Sequence, residues 1–216
     1  MKKYNKLNVI SNEPYIYYTD NFITDEECKF IIEYSSKFME KAKVTYSTEE
    51  EKKNVLSSDY KGRTNDSYWI DHYKHPIMLD LCKRISDKID CNYIHFEKFQ
   101  VIHYKEGEEY NYHYDGWDYK DKERYKKYCS ELGNRKVTIL CYLNDVEEGG
   151  ETGFDMLYHK PIKIKAKKGR MVVFYNLNDD GSLNKKTRHA GLPIIKGEKW
   201  AFNLWLRDYN FLNTKQ

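Results

Sequence analysis

His113-Tyr114-Asp115 is the first place in this chain where residue types and spacing could do chemistry. Alternate residues of a strand share a face, so an imidazole and a carboxylate one pleat apart would point the same way. That suits two ligands of one metal ion. The HxD pattern is weak by itself, and a solvated histidine beside an exposed aspartate is the ordinary alternative. His189 is the second candidate, in the polar turn Thr187-Arg188-His189-Ala190-Gly191-Leu192-Pro193 that leads into the last strand. Two histidines and one carboxylate leave three positions open on an octahedral ion, the facial arrangement of non-haem iron(II). Zinc with an open position is the competing reading, and as a hydrolase it would also need a general base.

The last strand bears on the choice. Trp200, Phe202, Leu204 and Leu206 form one apolar phase; Lys199, Ala201, Asn203, Trp205 and Arg207 form the other. A lysine sharing a face with Asn203 and Trp205 suits a barrel interior that holds an anion, because a buried ammonium needs a carboxylate or phosphate partner. A zinc hydrolase gives Lys199 no such partner. The opposite reading is a lysine whose stem lies on the surface and whose head reaches water. The segment 136–143 agrees in phase, placing Thr138, Leu140 and Tyr142 on one face with hydroxyls able to donate to the same anion. Gly149-Gly150 is a sharp turn that would shape a pocket mouth; the neighbouring carboxylates make it a poor phosphate cradle.

These residues need elements to position them. Thr24-Asp25-Glu26-Glu27 is a capping box, and the helix it opens carries Phe30, Ile31, Tyr34 and Phe38 at helical spacing, ending near Lys41. His75-Pro76 starts a second amphipathic helix that runs to about Lys88, with Ile77, Leu81, Ile85 and Ile89 repeating every four residues. Tyr15–Tyr18 reads as a strand, and 47–67 as a long exposed loop. After residue 92 come segments rich in Val, Ile, Tyr, Phe and Trp at about 94–104, 110–115, 136–143, 161–165, 170–176 and 199–207. The polar stretch 116–134 is too long for a hairpin turn and reads as a functional loop. Helices first and many short strands afterwards predict an α+β fold, an antiparallel barrel or sandwich packed against helices.

Length and composition narrow the classes. At 216 residues the chain is read as one domain, with a helical and strand part over 1–92 and a β core over 93–208. Its 21 tyrosines supply too much ring surface for a disordered chain. The charge is nearly balanced, with 37 Lys+Arg against 34 Asp+Glu, which argues against a basic nucleic-acid coat or an acidic tail. Five cysteines with no CxxC argue for free thiols over a disulfide or zinc framework. No apolar run is long enough to span a membrane, and no signal-peptide core is legible, so the expected compartment is the cytoplasm.

Taken together, these residues resemble the prolyl 4-hydroxylase family of Fe(II)- and 2-oxoglutarate-dependent dioxygenases. The matching text runs from Tyr104 through Gly107, Tyr110, His113 and Asp115. It continues from Arg135 through Thr138, Tyr142, Asn144 and Asp145 to Gly149-Gly150-Glu151-Thr152, and from Lys168-Gly169-Arg170 to Asn176. His189 to Pro193 and Gly197 through Lys199-Trp200 to Trp205 complete it. Arg63-Thr64 matches an Arg-Thr pair of the same family. The resemblance covers about residues 15–208.

It implies a double-stranded β-helix, or jelly roll, with Fe(II) bound by His113, Asp115 and His189. Lys199 would pair with the distal carboxylate of 2-oxoglutarate, with Tyr104, Thr138 and Tyr142 beside the cosubstrate. Tyr110, Arg135 and Trp205 would contact a proline-containing peptide or protein; barrel packing is the alternative for Trp205, and Arg135 is out of phase with Thr138 on an ideal strand. The implied reaction consumes O2 and 2-oxoglutarate, releases succinate and CO2, and hydroxylates proline at C4, with ascorbate as a further cofactor. An aspartate at position 115 implies hydroxylation, because a smaller residue there would leave room for halide. The alternatives are a related dioxygenase acting on another side chain or a nucleic-acid base, and a peptide-binding jelly roll without turnover. No nucleic-acid or membrane partner is expected.

Overall fold

The computed structural model describes residues 7–42, 62–157 and 161–208. Helix α1 (Asp25–Ser35) opens as its sequence requires: the Thr24 hydroxyl accepts from the Glu27 N–H at 3.2 Å, and the Thr24 N–H donates to Glu27 Oε2 at 2.9 Å. It ends at Ser35, earlier than the apolar spacing suggests. A 3₁₀ turn over Ser36–Phe38 follows, and Lys41 lies in a two-residue strand. Phe38, which the helical spacing grouped with Phe30, Ile31 and Tyr34, lies beyond the helix and is exposed. Helix α2 (Pro76–Ile89) has proline in its first turn and stops at Asp90 in the left-handed conformation; Met78, Leu81, Cys82 and Ile85 form its buried stripe.

The strands are β1 (Asn8–Asn12), β2 (Tyr15–Thr19), β3 (Glu40–Lys41), β4 (Asp66–Ile70), β5 (Phe99–Tyr104), β6 (Tyr110–His113) and β7 (Arg135–Tyr142). They continue as β8 (Glu148–Gly149), β9 (Thr152–Phe154), β10 (Ile162–Ile164), β11 (Met171–Tyr175), β12 (His189–Gly191), β13 (Ile194–Lys196) and β14 (Lys199–Arg207). A large antiparallel sheet has the order β1-β2-β11-β7-β14-β5-β4-β3, and a smaller one the order β10-β9-β12-β6. Strands from both sides of residue 92 thus share one sheet.

Period-two alternation divides the core. On β14, Phe202 and Leu204 face the helices together with Ile31, Leu81, Ile85, Val101, Ile139 and Val173. Ala201 faces the other way, with Tyr104, Leu140, Tyr142, Phe154 and Ile164, into the space between the two sheets. The result is an α+β jelly roll whose large sheet carries helices on one face and a site on the other.

Three sequence expectations change. Most of the expected 47–67 loop lies outside the described residues, and its last residues, Asp66 and Ser67, begin β4. The 116–134 segment contains a third helix, α3 (Lys122–Cys129), opened by Asp121 accepting from the Arg124 N–H at 3.2 Å. His189 lies within a strand, not in a turn before one. Strands of two or three residues show no alternation from which to read them.

Candidate functional site

The site grows from one cross-strand pair. His189 on β12 stands opposite His113 on β6, and their ring centroids are 4.4 Å apart. Each Nδ1 points at a backbone carbonyl: Asn111 O at 2.7 Å for His113, Thr187 O at 2.9 Å for His189. A carbonyl only accepts, so Nδ1 carries the proton and Nε2 presents its lone pair. Both Nε2 atoms face Asp115, at 3.6 Å from Oδ1 for His113 and 3.5 Å from Oδ2 for His189. The three ligand atoms lie within 4.8 Å of one another. Burial pushes His189 down to about 4, so the ring is neutral and ligand-competent. Burial works to raise the Asp115 carboxyl, but its surroundings, the Arg135 guanidinium among them, hold the group well below the carboxylate range. Thr138 donates to Asp115 Oδ2 at 2.7 Å and accepts from Asn176 Nδ2 at 2.8 Å.

Lys199 begins β14 inside the barrel and is 3% exposed. Its ammonium donates to the Gly150 carbonyl at 3.0 Å and lies 4.3 Å from the centre of the Tyr104 ring. It has no ion-pair partner among the described residues, and burial pushes it down to about 8, with Glu151 the weak opposing influence. A narrow cavity runs between it and the two histidines, bordered also by Tyr104, Tyr142 and Thr152. The double glycine is what brings the Gly150 carbonyl here. Gly149 and Gly150 have φ of +78° and +70°, and a Cβ on Gly149 would collide with the Pro193 carbonyl.

A second, larger cavity of about 640 Å³ opens beside His113 and Asp115. Tyr110, Arg135 and Trp205 all border it. Tyr110 stacks on His113 at 3.7 Å between centroids, with the Arg63 guanidinium 4.6 Å from its other face. Arg135 lies 3.6 Å over the Trp205 ring and 5.2 Å from Trp117, while Trp69 stands 5.9 Å from Trp205. One wall of the cavity is thus a row of planar groups, Trp69, Trp205, Arg135 and Trp117. Behind it Glu97 accepts from Arg135 Nε and Nη2 at 2.6 and 2.9 Å. Burial opposes the Glu97 carboxylate, but Arg135 and Arg207 hold it below its usual range.

The profile described as the 2OG-Fe(II) oxygenase superfamily matches residues 99–207, half of the chain. The chain belongs to the 2OG-Fe(II) oxygenase superfamily. The oxygenase is 32% identical to the "Probable prolyl 4-hydroxylase 10" of Arabidopsis thaliana, over 95% of this chain and 73% of that protein. It is 30% identical to "Prolyl 4-hydroxylase 5" of the same plant, over 95% of this chain and 72% of that one. Among solved structures it superposes on the viral collagen prolyl hydroxylase of Paramecium bursaria Chlorella virus-1, in its 2-oxoglutarate complex. The TM-score is 0.68 at 28% identity, over 93% of this chain and 99% of that one.

As a member of this superfamily the oxygenase uses Fe(II) and 2-oxoglutarate. The residues present fit both groups: two imidazoles and one carboxylate whose ligand atoms converge suit Fe(II), and a buried ammonium without an ion-pair partner among the described residues suits a carboxylate. Among the sequence-derived candidates Thr138 differs from expectation. Its hydroxyl proton goes to Asp115, and it does not border the Lys199 cavity. Tyr142 borders that cavity with its hydroxyl against Thr152 Oγ1 at 2.7 Å. Sequence reasoning missed Glu97, Trp69 and Trp117, which are single residues with no motif around them, and gave Asn176, the end of a matched segment, no role. The Arg207 phase on β14 was the one available hint of a second cation behind the wall. No helix among the described residues is long and apolar enough to cross a membrane.

Proposed function

We propose that this oxygenase is a peptidyl-prolyl 4-hydroxylase: it couples conversion of 2-oxoglutarate and O2 to succinate and CO2 with hydroxylation of a proline in a peptide or protein. The observation that carries this is the continuity of the buried Lys199 cavity, the His113–Asp115–His189 cluster and the aromatic-walled groove, on a chain about 30% identical to proteins named prolyl 4-hydroxylases. His113, Asp115 and His189 would hold the iron, which with 2-oxoglutarate supplies the oxidising power for attack on a C–H bond. Asn111 and Thr187 fix the two imidazole tautomers, and Thr138 orients the carboxylate. Lys199 supplies the charge that fixes the distal carboxylate of 2-oxoglutarate, and Tyr104 walls the same end. Tyr110, Arg135 and Trp205 form the surface on which the prolyl ring is set near the cluster; an aromatic wall suits a compact, rigid, apolar ring.

Succinate release that depends on a proline peptide, together with a gain of one oxygen on proline by mass spectrometry, is the test. His113→Ala should abolish both. Oxygen appearing on lysine, or loss of a methyl from a nucleic-acid base, would assign a different substrate. Turnover surviving in His113→Ala would overturn the ligand assignment.

A further inference from the structure

Arg207 closes β14 on the far side of the groove wall and does not itself border the cavity. It is nonetheless tied to three parts of that wall. Its Nε donates to Glu97 Oε1 at 2.6 Å, the same oxygen that accepts from Arg135 Nε at 2.6 Å. Its Nη1 donates to the Tyr128 carbonyl at 3.0 Å and the Gly133 carbonyl at 2.5 Å. Tyr128 belongs to the last turn of α3, where helix carbonyls lack partners within the helix and the dipole favours a cation. Its guanidinium also lies 5.3 Å from the Trp117 ring, which Arg135 approaches at 5.2 Å and Tyr128 stacks on at 5.4 Å. Asn134 completes the joint: its side chain accepts from the Trp117 N–H at 3.0 Å and donates to the Trp117 carbonyl at 2.8 Å.

Glu97 and Arg207 are 5% and 6% exposed, so these bonds form away from water, where geometry is held firmly. One carboxylate is shared between two guanidiniums: the one that faces the groove and the one that grips the end of α3. The orientation of Arg135 on Trp205 is therefore coupled, through Glu97 and Arg207, to the docking of the 116–134 segment and of Trp117 within it.

We propose that Arg207 is a positioning residue for peptide binding. It fastens the α3 segment to the groove wall and sets Arg135 and Trp117 in the arrangement that receives the substrate, a role that rests on reading the large cavity as the peptide groove. Arg207→Met is the main variant. It leaves Glu97 paired with Arg135, so no buried charge is left without a partner. Arg207→Lys keeps the charge but not the fork that reaches carboxylate and carbonyls together.

The experiment has two arms. Amide hydrogen exchange of the full chain should show faster exchange over 117–133 in Arg207→Met, with α1 and α2 unmoved. With polyproline as the peptide, its KM should rise roughly tenfold while the KM for 2-oxoglutarate moves less than twofold, and Arg207→Lys should fall between. Unchanged exchange over 117–133 overturns the proposal, and so does an equal rise in both KM values, which is the mark of general loosening. If the wild-type protein releases no succinate with polyproline or any other proline peptide, the groove reading fails, and the exchange arm by itself still decides whether Arg207 holds the segment.

Discussion

The Thr138 hydroxyl donates a 2.7 Å hydrogen bond to Oδ2 of Asp115, and both groups are buried. A hydroxyl one pleat away from Leu140 on β7 thereby holds the carboxylate that faces both histidines. Hydrogen bonds to a buried charge contribute about 1.5–3 kcal/mol. Thr138→Val should weaken Fe(II) binding by roughly 10–100-fold. Titration against a chromogenic chelator measures this. A rise in the KM for 2-oxoglutarate with iron affinity intact would instead put Thr138 at the cosubstrate.

If Lys199 binds the distal carboxylate as proposed, it sets the pH limit of cosubstrate binding. Burial pushes its ammonium down to about 8 in the ligand-free protein. An anionic ligand favours the protonated form and raises that value, so above about pH 8 binding takes up a proton. Affinity for 2-oxoglutarate should be level below pH 8 and then fall, by up to about tenfold per pH unit. Lys199→Met should bind weakly at every pH tested, with the break near pH 8 gone. Calorimetric titration across the range separates the two patterns.

Trp69 is 41% exposed at the rim of the groove, 5.9 Å from Trp205. A large ring left open beside an active-site cavity is a surface for a partner. Trp69→Ala should raise the peptide KM by about tenfold, the scale of a modest binding hot spot, with little change in thermal stability. An unaffected peptide KM would place the bound chain on the opposite wall.

Glu27 joins two helices. It caps α1 through the Thr24 N–H and accepts from Arg84 of α2 at 2.7 and 2.8 Å. Thr24→Ala removes one capping bond and should cost about 1 kcal/mol, a fall in Tm of about 2–4 °C. Glu27→Ala should cost more, because it also leaves the partly buried Arg84 guanidinium without its carboxylate. Thermal unfolding followed by circular dichroism compares the two.

Metal removal tests the cluster as a unit. Treatment with a chelator should abolish succinate release, Fe(II) should restore it, and zinc should not, since the chemistry needs a redox-active ion. Succinate release restored by zinc would show that the reaction needs no redox-active ion and would overturn the iron assignment.

Much of the site was legible in the residues alone. The HxD pair, the distal His189 and the interior phase of Lys199 each rest on local rules: side-chain alternation, ligand chemistry, and the cost of burying an unpaired ammonium. The two helices were legible through a capping box, a proline at a helix start and four-residue spacing. Their ends were less so, because the apolar pattern ran on through Phe38 after the backbone had left the helix.

What the sequence by itself determined was which residues could serve as ligands and which strand phase Lys199 shares with Asn203 and Trp205, because both follow from residue type and a period of two; the choice of iron and of an anion beside Lys199 came with the family resemblance. The tertiary structure decided which groups meet. Strand register set His189 opposite His113, folding brought Thr138 to Asp115 across 23 positions, and Glu97 before β5 met Arg135 and Arg207 at the ends of β7 and β14. Such contacts depend on how separate strands pair and pack, and no local pattern encodes a pairing between residues so far apart in the chain.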